Sequence, residues 1–220
     1  MPSSIDSNAN AKANFRTNVY GILALAFSPP QSEAKNLYAA ILDAHSSLRS
    51  PEDTAAPDVN FPEDTTSTDL GREHLRLFVG PGHIQCPPYE AVYRKDRPGM
   101  EKGLLMGPST ADVRRRYAEA HLAMSKKFTD LPDHITVEME FMHFLCGEES
   151  KFAEQGNPQE SVKMRRFQKE FLNQHLKPWV KDFADCVLRS ANSSFYKAAA
   201  SLLKTFIESE SENFLESDTQ

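Results

Sequence analysis

Apolar side chains recur three and four residues apart through most of the chain, the spacing that places them on one face of a helix. Phe15, Val19, Ile22, Leu23 and Phe27 follow it, which predicts a helix from about Lys12 to Phe27. Ser28-Pro29-Pro30 stops that helix, because proline lacks the amide a further turn needs. A second helix is predicted from about Ser32 to Leu48, with Leu37, Tyr38, Ile41 and Leu42 on one side. A third resumes near Asp69, carries Leu70, His74, Leu77 and Phe78, and ends at Gly80-Pro81-Gly82. Residues 80–108 are irregular, punctuated throughout by glycine and proline. Helix returns from about Thr110 to Lys127 and again from Pro132 or Asp133. The segment after Asp133 is apolar nearly all round, so it is expected to be the central buried helix. Glu160 to about Leu188 reads as one helix bent at Pro178, and Ser193 to about Ser209 as the last, built around Phe195, Leu202, Leu203 and Phe206.

No alternating strand pattern and no internal repeat appears. The expected fold is therefore all-α, a single-domain helical bundle over residues 12–209. Residues 1–11 are expected to be disordered and 210–220 to form an acidic disordered tail. Within the domain, 50–69 reads as a flexible acidic loop, with Pro51, Pro57, Pro62 and six acids but no base.

Composition narrows the function classes. A hydrophobic share of 40% is enough for a true core, and fourteen Phe against one Trp make it largely Phe and Leu. A net charge of −6 argues against nucleic acid and suits a cationic partner. Cys86, Cys146 and Cys186 lie far apart with no CxxC, which predicts reduced thiols rather than a disulfide framework or a closed zinc site. The polar start has no apolar stretch typical of a secretory signal, and no run approaches the roughly 18 apolar residues of a membrane span. The expectation is a cytoplasmic protein, monomer or homodimer, without stable membrane insertion.

Catalytic signals are sparse. There is no GxxxxGK[ST], no GxGxxG after a strand and no GxSxG. Glu140 and His143 form an E-x-x-H pair on one helix face, as in di-iron bundles, and His134 and Glu138 are one turn apart. A helical metalloenzyme using these residues is one alternative; a hydrogen-bonded or ion-paired helix face is the plainer one, since no second E-x-x-H exists. Cys86 has only His83 as a nearby base. Neither a cofactor nor a metal is expected. Phe78, Tyr89 and Tyr93 flank Pro87-Pro88 on an irregular segment, an arrangement that suits either a rigid peptide groove or core packing.

Three segments carry a family resemblance. Leu77-Phe78-Val79-Gly80-Pro81 with Pro87-Pro88-Tyr89-Glu90-Ala91-Val92-Tyr93 is one. Leu131-Pro132-Asp133-His134 followed by Glu138 is the second, and Phe171 to Phe183 with His175-Leu176 and Trp179 is the third. In order and spacing they resemble the TorD/DmsD/NarJ chaperones over roughly residues 70–185, and Arg16, Tyr20 and Leu23 of the opening helix also fit. The resemblance implies a non-enzymatic chaperone of all-α fold. It would bind the apo catalytic subunit of a molybdenum-cofactor oxidoreductase, or its twin-arginine leader, and hold it until the cofactor is inserted. It implies that Leu77, Phe78, Pro88, Tyr89, Asp133 and His134 serve leader binding. Pro87 and Tyr93 lie in the same segment, and Glu90 and Glu138 are further acceptors for a guanidinium. Asp133 can also be a helix cap. The chain departs from the pattern where some members carry Trp: His74 and Tyr89 stand there instead. A plain helical adaptor without such a client is the other alternative.

Overall fold

A computed structural model of the chain describes residues 4–31, 34–48, 67–94, 105–125 and 130–216. Its helices are α1 (Ser4–Phe27), α2 (Ala34–Leu48), α3 (Ser67–His74), α4 (Glu90–Tyr93), α5 (Pro108–Glu119), α6 (Ile135–Glu154), α7 (Pro158–Phe171), α8 (Val180–Ser190) and α9 (Ser194–Glu216). Two π-helical turns continue α3 and α7, at Leu75–Val79 and Leu172–Leu176. Among the described residues no strand occurs, and the fold is all-α; Tyr89 and His134 pair in an isolated antiparallel bridge.

The ends of the helices follow local chemistry. Pro108 and Pro158 open α5 and α7, where a missing amide costs nothing. Asn157 caps α7 through its side-chain oxygen, which accepts from the Glu160 amide at 3.4 Å. The central position expected for α6 is observed: it packs between α1 and α7, and Ile135 to Met139, Phe141, Met142, Leu145 and Cys146 are all buried. A second layer places α9 against α2 and α8. One continuous apolar cluster joins the layers, with Tyr20, Phe171, Trp179, Phe183 and Tyr196 among its fully buried side chains.

Five expectations change. The helix begins at Ser4, so residues 4–11, expected to be disordered, extend α1; adding residues to an existing helix costs far less than starting one. At the other end α9 continues to Glu216, through the start of the expected acidic tail. Phe214 is buried there, and Glu210 holds Arg16 by paired bonds, Nε–Oε1 2.7 Å and Nη2–Oε2 2.8 Å, with the Tyr20 hydroxyl donating to Oε2 at 3.0 Å. Acid content alone read as solvation, because the partner lies 194 residues away. The long helix of 160–188 is interrupted by the π-turn and by Lys177-Pro178-Trp179 before α8 begins. The acidic loop lies outside the described residues for 50–66, while Ser67 to Asp69 already belong to α3.

Cysteine chemistry is the fifth change. Cys86 and Cys186 are joined as a disulfide across 100 residues, with Cα atoms 5.8 Å apart. Sequence spacing hid the pair because the fold brings the segment after α3 against α8. Cys146 remains a free, buried thiol, pushed up to about 12 by burial.

Candidate functional site

Residues 75–94 and 130–138 meet at one edge of the bundle. The Leu75–Val79 π-turn closes when the Gly80 amide donates to the Leu75 carbonyl at 2.7 Å. Gly80 then takes φ +102°, a conformation that side chains rarely adopt. The chain returns to the core at Cys86, whose amide donates to the Leu77 carbonyl at 2.8 Å. Pro88 to Glu90 next pairs with Asp133 to Ile135. The Ile135 amide donates to the Pro88 carbonyl at 2.9 Å, and the Glu90 amide to the Asp133 carbonyl at 3.0 Å.

Side-chain caps lock this junction. His134 is the N-cap of α6, its Nδ1 accepting from the Thr136 amide at 3.1 Å. Asp133 does not cap its own helix. Its carboxylate reaches across and accepts from the Ala91 amide at 3.0 Å, capping α4. The cap expected of Asp133 on α6 is thus made by its neighbour, because the Tyr89–His134 bridge turns the Asp133 side chain toward the facing segment.

Outside the junction lies a cleft of about 310 Å³ lined by Phe27, Ser28, Pro29, His74, Phe78, Val79, Ile84, Tyr89, Asp130, His134 and Thr136. Its floor is aromatic: Phe78 packs edge-on to Phe27 at 6.0 Å and against His74 at 5.2 Å. Tyr89 stands edge-on to His134 at 5.3 Å, and its hydroxyl donates to Asp130 at 2.6 Å. Both histidines are held down to about 4, His134 by burial against the attraction of Asp130, His74 by burial and then by His134. They are neutral at pH 7. Because His134 Nδ1 accepts, its proton sits on Nε2, 4.0 Å from Asp130 Oδ2. Asp130 is the one acid among the lining residues, which include no Lys or Arg. Chemically, the cleft offers an apolar floor with a single carboxylate at its rim.

Behind it sits a buried polar cluster. Glu90 pairs with Arg94 and with His175 Nδ1 at 3.0 Å. Arg94 also donates to the Gln174 carbonyl. Trp179 Nε1 donates to Glu138 at 3.2 Å. Burial, then repulsion from Glu90 and Asp133, keeps the Glu138 carboxyl protonated well above the usual carboxylate range. Burial likewise raises Asp133, opposed by its bond from Ala91.

The ten residues singled out from sequence therefore separate. Phe78, Tyr89 and His134 line the cleft. Leu77, Pro88, Glu90, Asp133 and Glu138 are buried behind it, and Pro87 is half-buried. Tyr93 points inward and stacks on Trp179 at 5.7 Å. Asp130, Ile84, Phe27 and Pro29 were missed. Asp130 carried a faint signal, an acid one residue before Leu131-Pro132; Phe27 and Pro29 carried none, since they reach the cleft from another helix. Glu140 and His143 lie elsewhere: His143 Nδ1 is 2.8 Å from the Thr17 carbonyl, and Glu140 is exposed. Among the described residues no group of three or more His, Cys, Asp or Glu is placed to hold a metal ion.

Comparison with known proteins gives consistent relatives. Residues 31–185 match the family described as nitrate reductase delta subunit. A chaperone protein TorD from Aliivibrio fischeri is 24% identical over 139 residues, 63% of this chain and 61% of that protein. A TorD from Shewanella loihica is 23% identical over 202 residues, 87% of this chain and 89% of that one. A selenate reductase assembly chaperone protein from Thauera selenatis is 31% identical over 121 residues, 54% of this chain and 57% of that one. The chain spans about three fifths of several TorD relatives, 61% and 60% for those of Aliivibrio fischeri and Vibrio cholerae. A solved structure described as a redox enzyme maturation protein from Archaeoglobus fulgidus shares the fold, with TM-score 0.55 and 21% identity over 87% of this chain and 93% of that one.

Proposed function

Because the chain belongs to the nitrate reductase delta subunit family, we propose that it is a cytoplasmic chaperone that binds the apo catalytic subunit of a molybdenum-cofactor oxidoreductase, its twin-arginine leader, or both, and holds the subunit until the cofactor is inserted. The observation that carries the reading is the cleft, an aromatic floor beside one carboxylate. A twin-arginine leader is basic at its front and apolar behind. Its apolar stretch would bury against Phe27, Phe78 and Ile84, and a guanidinium would meet Asp130 in a charge-assisted hydrogen bond. The two neutral histidines add no positive charge to oppose it. The buried cluster of Glu90, Arg94, Asp133 and Glu138 holds the junction rigid, which lowers the ordering cost of binding.

On this reading the chain acts by binding and not by catalysis; the relatives are named a chaperone protein and an assembly chaperone protein. Among the described residues no helix is long and apolar enough to cross a membrane. Calorimetry tests the proposal, with the leader peptide and the apo catalytic subunit of a molybdopterin oxidoreductase encoded beside this chain. Saturable binding to either, on the order of micromolar, is expected. Failure of both at tens-fold higher concentration overturns it.

A further inference from the structure

The Cys86–Cys186 pair sits beside the cleft wall. Ile84 lines the cleft two residues before Cys86, and Tyr89 lines it three residues after. Between the π-turn and Cys86 the chain passes Gly80 and Gly82 at φ +102° and +100°, pivots without side chains. Pro81, Gly82 and His83 are exposed. Cys86, fully buried, is where this strap is fastened, by its amide to Leu77 and by its sulfur to α8. On α8, Cys186 follows the buried Phe183 by one turn and is itself half-buried, so solvent reaches it.

We propose that Cys86 and Cys186 form a reversible thiol–disulfide site whose co-substrate is a low-molecular-weight disulfide of the glutathione class, and that its oxidation fixes the strap forming one wall of the cleft. In the dithiol form the Cys186 thiolate attacks the small disulfide, giving a mixed disulfide on Cys186 and one small thiolate. The Cys86 thiolate then attacks the Cys186 sulfur, forming the internal bond and releasing the second small thiolate. Two protein thiols are oxidised, one small disulfide is reduced to two thiols, and the two protons lost by the cysteines go to those leaving groups. The order follows exposure: Cys186 is reachable from solvent and Cys86 is not. Gln85 keeps the pair together in the reduced state, because its carbonyl lies 3.2 Å from the Cys186 sulfur and can accept from the thiol. Losing the bond lets the two sulfurs part to ordinary contact distance. That displacement falls on a strap hinged at two glycines, so Ile84 and the cleft wall loosen while the helices stay.

The inference stands apart from the leader reading, since its test needs no client. The full chain is equilibrated in mixtures of reduced and oxidised glutathione, quenched with acid, unfolded and alkylated, and labelled thiols are counted by mass. A change from three labels to one across the mixtures, with Cys146 the constant one, is expected. A pair that stays oxidised in fully reduced glutathione is a permanent structural bond, and one that never oxidises is no site; either overturns the proposal. Hydrogen exchange supplies the second readout. Reduction should speed exchange of the Cys86 amide about ten-fold more than it speeds exchange of the α6 and α9 amides. Cys186→Ser, at a half-buried position, should match the reduced protein in both buffers. Equal protection of Cys86 in oxidised, reduced and Cys186→Ser protein would mean that the bond does not hold the strap, and the proposal fails.

Discussion

Acidification should destabilise the fold through the two cleft histidines. Both are held down to about 4 in the folded state, against an ordinary value of about 6.5 in the unfolded chain. A base depressed by folding is neutral in both states at pH 7, so its favourable contribution is complete above about 6.5. As pH falls below that value the unfolded chain takes a proton that the folded chain refuses, and stability is lost progressively down to about 4. At pH 5 the loss is about 2 kcal/mol for each histidine. Asp133 and Glu138 act in the opposite sense, because their raised values let the folded chain bind protons first. The net pH dependence of the native protein mixes these contributions, whereas a difference between variants does not. His134→Asn keeps a side-chain oxygen where Nδ1 accepts from Thr136, and Asn is a favoured N-cap. His74→Gln removes the imidazole that lies 3.3 Å from the Tyr196 hydroxyl. Urea unfolding at pH 7 and pH 5 then gives the test. Each variant should lose about 2 kcal/mol less than the native chain between the two pH values. An equal loss in all three proteins would refute the argument that burial keeps these rings neutral.

Asp133→Ala deletes the cap on the Ala91 amide and should lower stability by about 0.5–2 kcal/mol in urea unfolding; no loss would mean that the α4 cap is dispensable. Tyr89→Ala should weaken client binding by about 1–3 kcal/mol, measured by calorimetry, with the helical circular dichroism spectrum retained; an unfolded variant would make Tyr89 part of the core instead. Reducing the Cys86–Cys186 bond should lower the melting temperature by on the order of 5–10 °C, and Cys186→Ser should abolish that response to reductant.

Much of the bundle was legible because helices bury stripes of regular period. Phe15 to Phe27 and the all-round apolar α6 announced themselves, and the stop at Pro29 fell where expected, whereas the bend expected at Pro178 is a full break between α7 and α8. What the sequence concealed depends on contacts between distant segments. Arg16–Glu210 turned an acidic stretch into packed helix, and Cys86–Cys186 became visible only once α8 lay beside the strap. In the Leu75–Val79 π-turn Leu77 is buried in the core while its neighbour Phe78 lines the cleft, a division between adjacent apolar residues that their spacing alone does not carry. Asp133 and His134 were marked as a pair, yet their roles divided according to the bridge with Tyr89. Of the acids marked near the site, Glu90, Asp133 and Glu138 all point inward, and the carboxylate at the rim is Asp130.

On the proposed function, the leader occupies the cleft lined by Phe78, Tyr89, Asp130 and His134. Titrating isotope-labelled chain with the leader peptide and following backbone amide resonances tests it most directly. The largest shifts should cluster at Val79, Ile84, Tyr89, Asp130 and Thr136, and Asp130→Asn should weaken the same titration without moving the melting temperature. Shifts centred instead on the separate apolar pocket of Tyr117, Phe141 and Phe144, with the cleft amides unmoved, would contradict it.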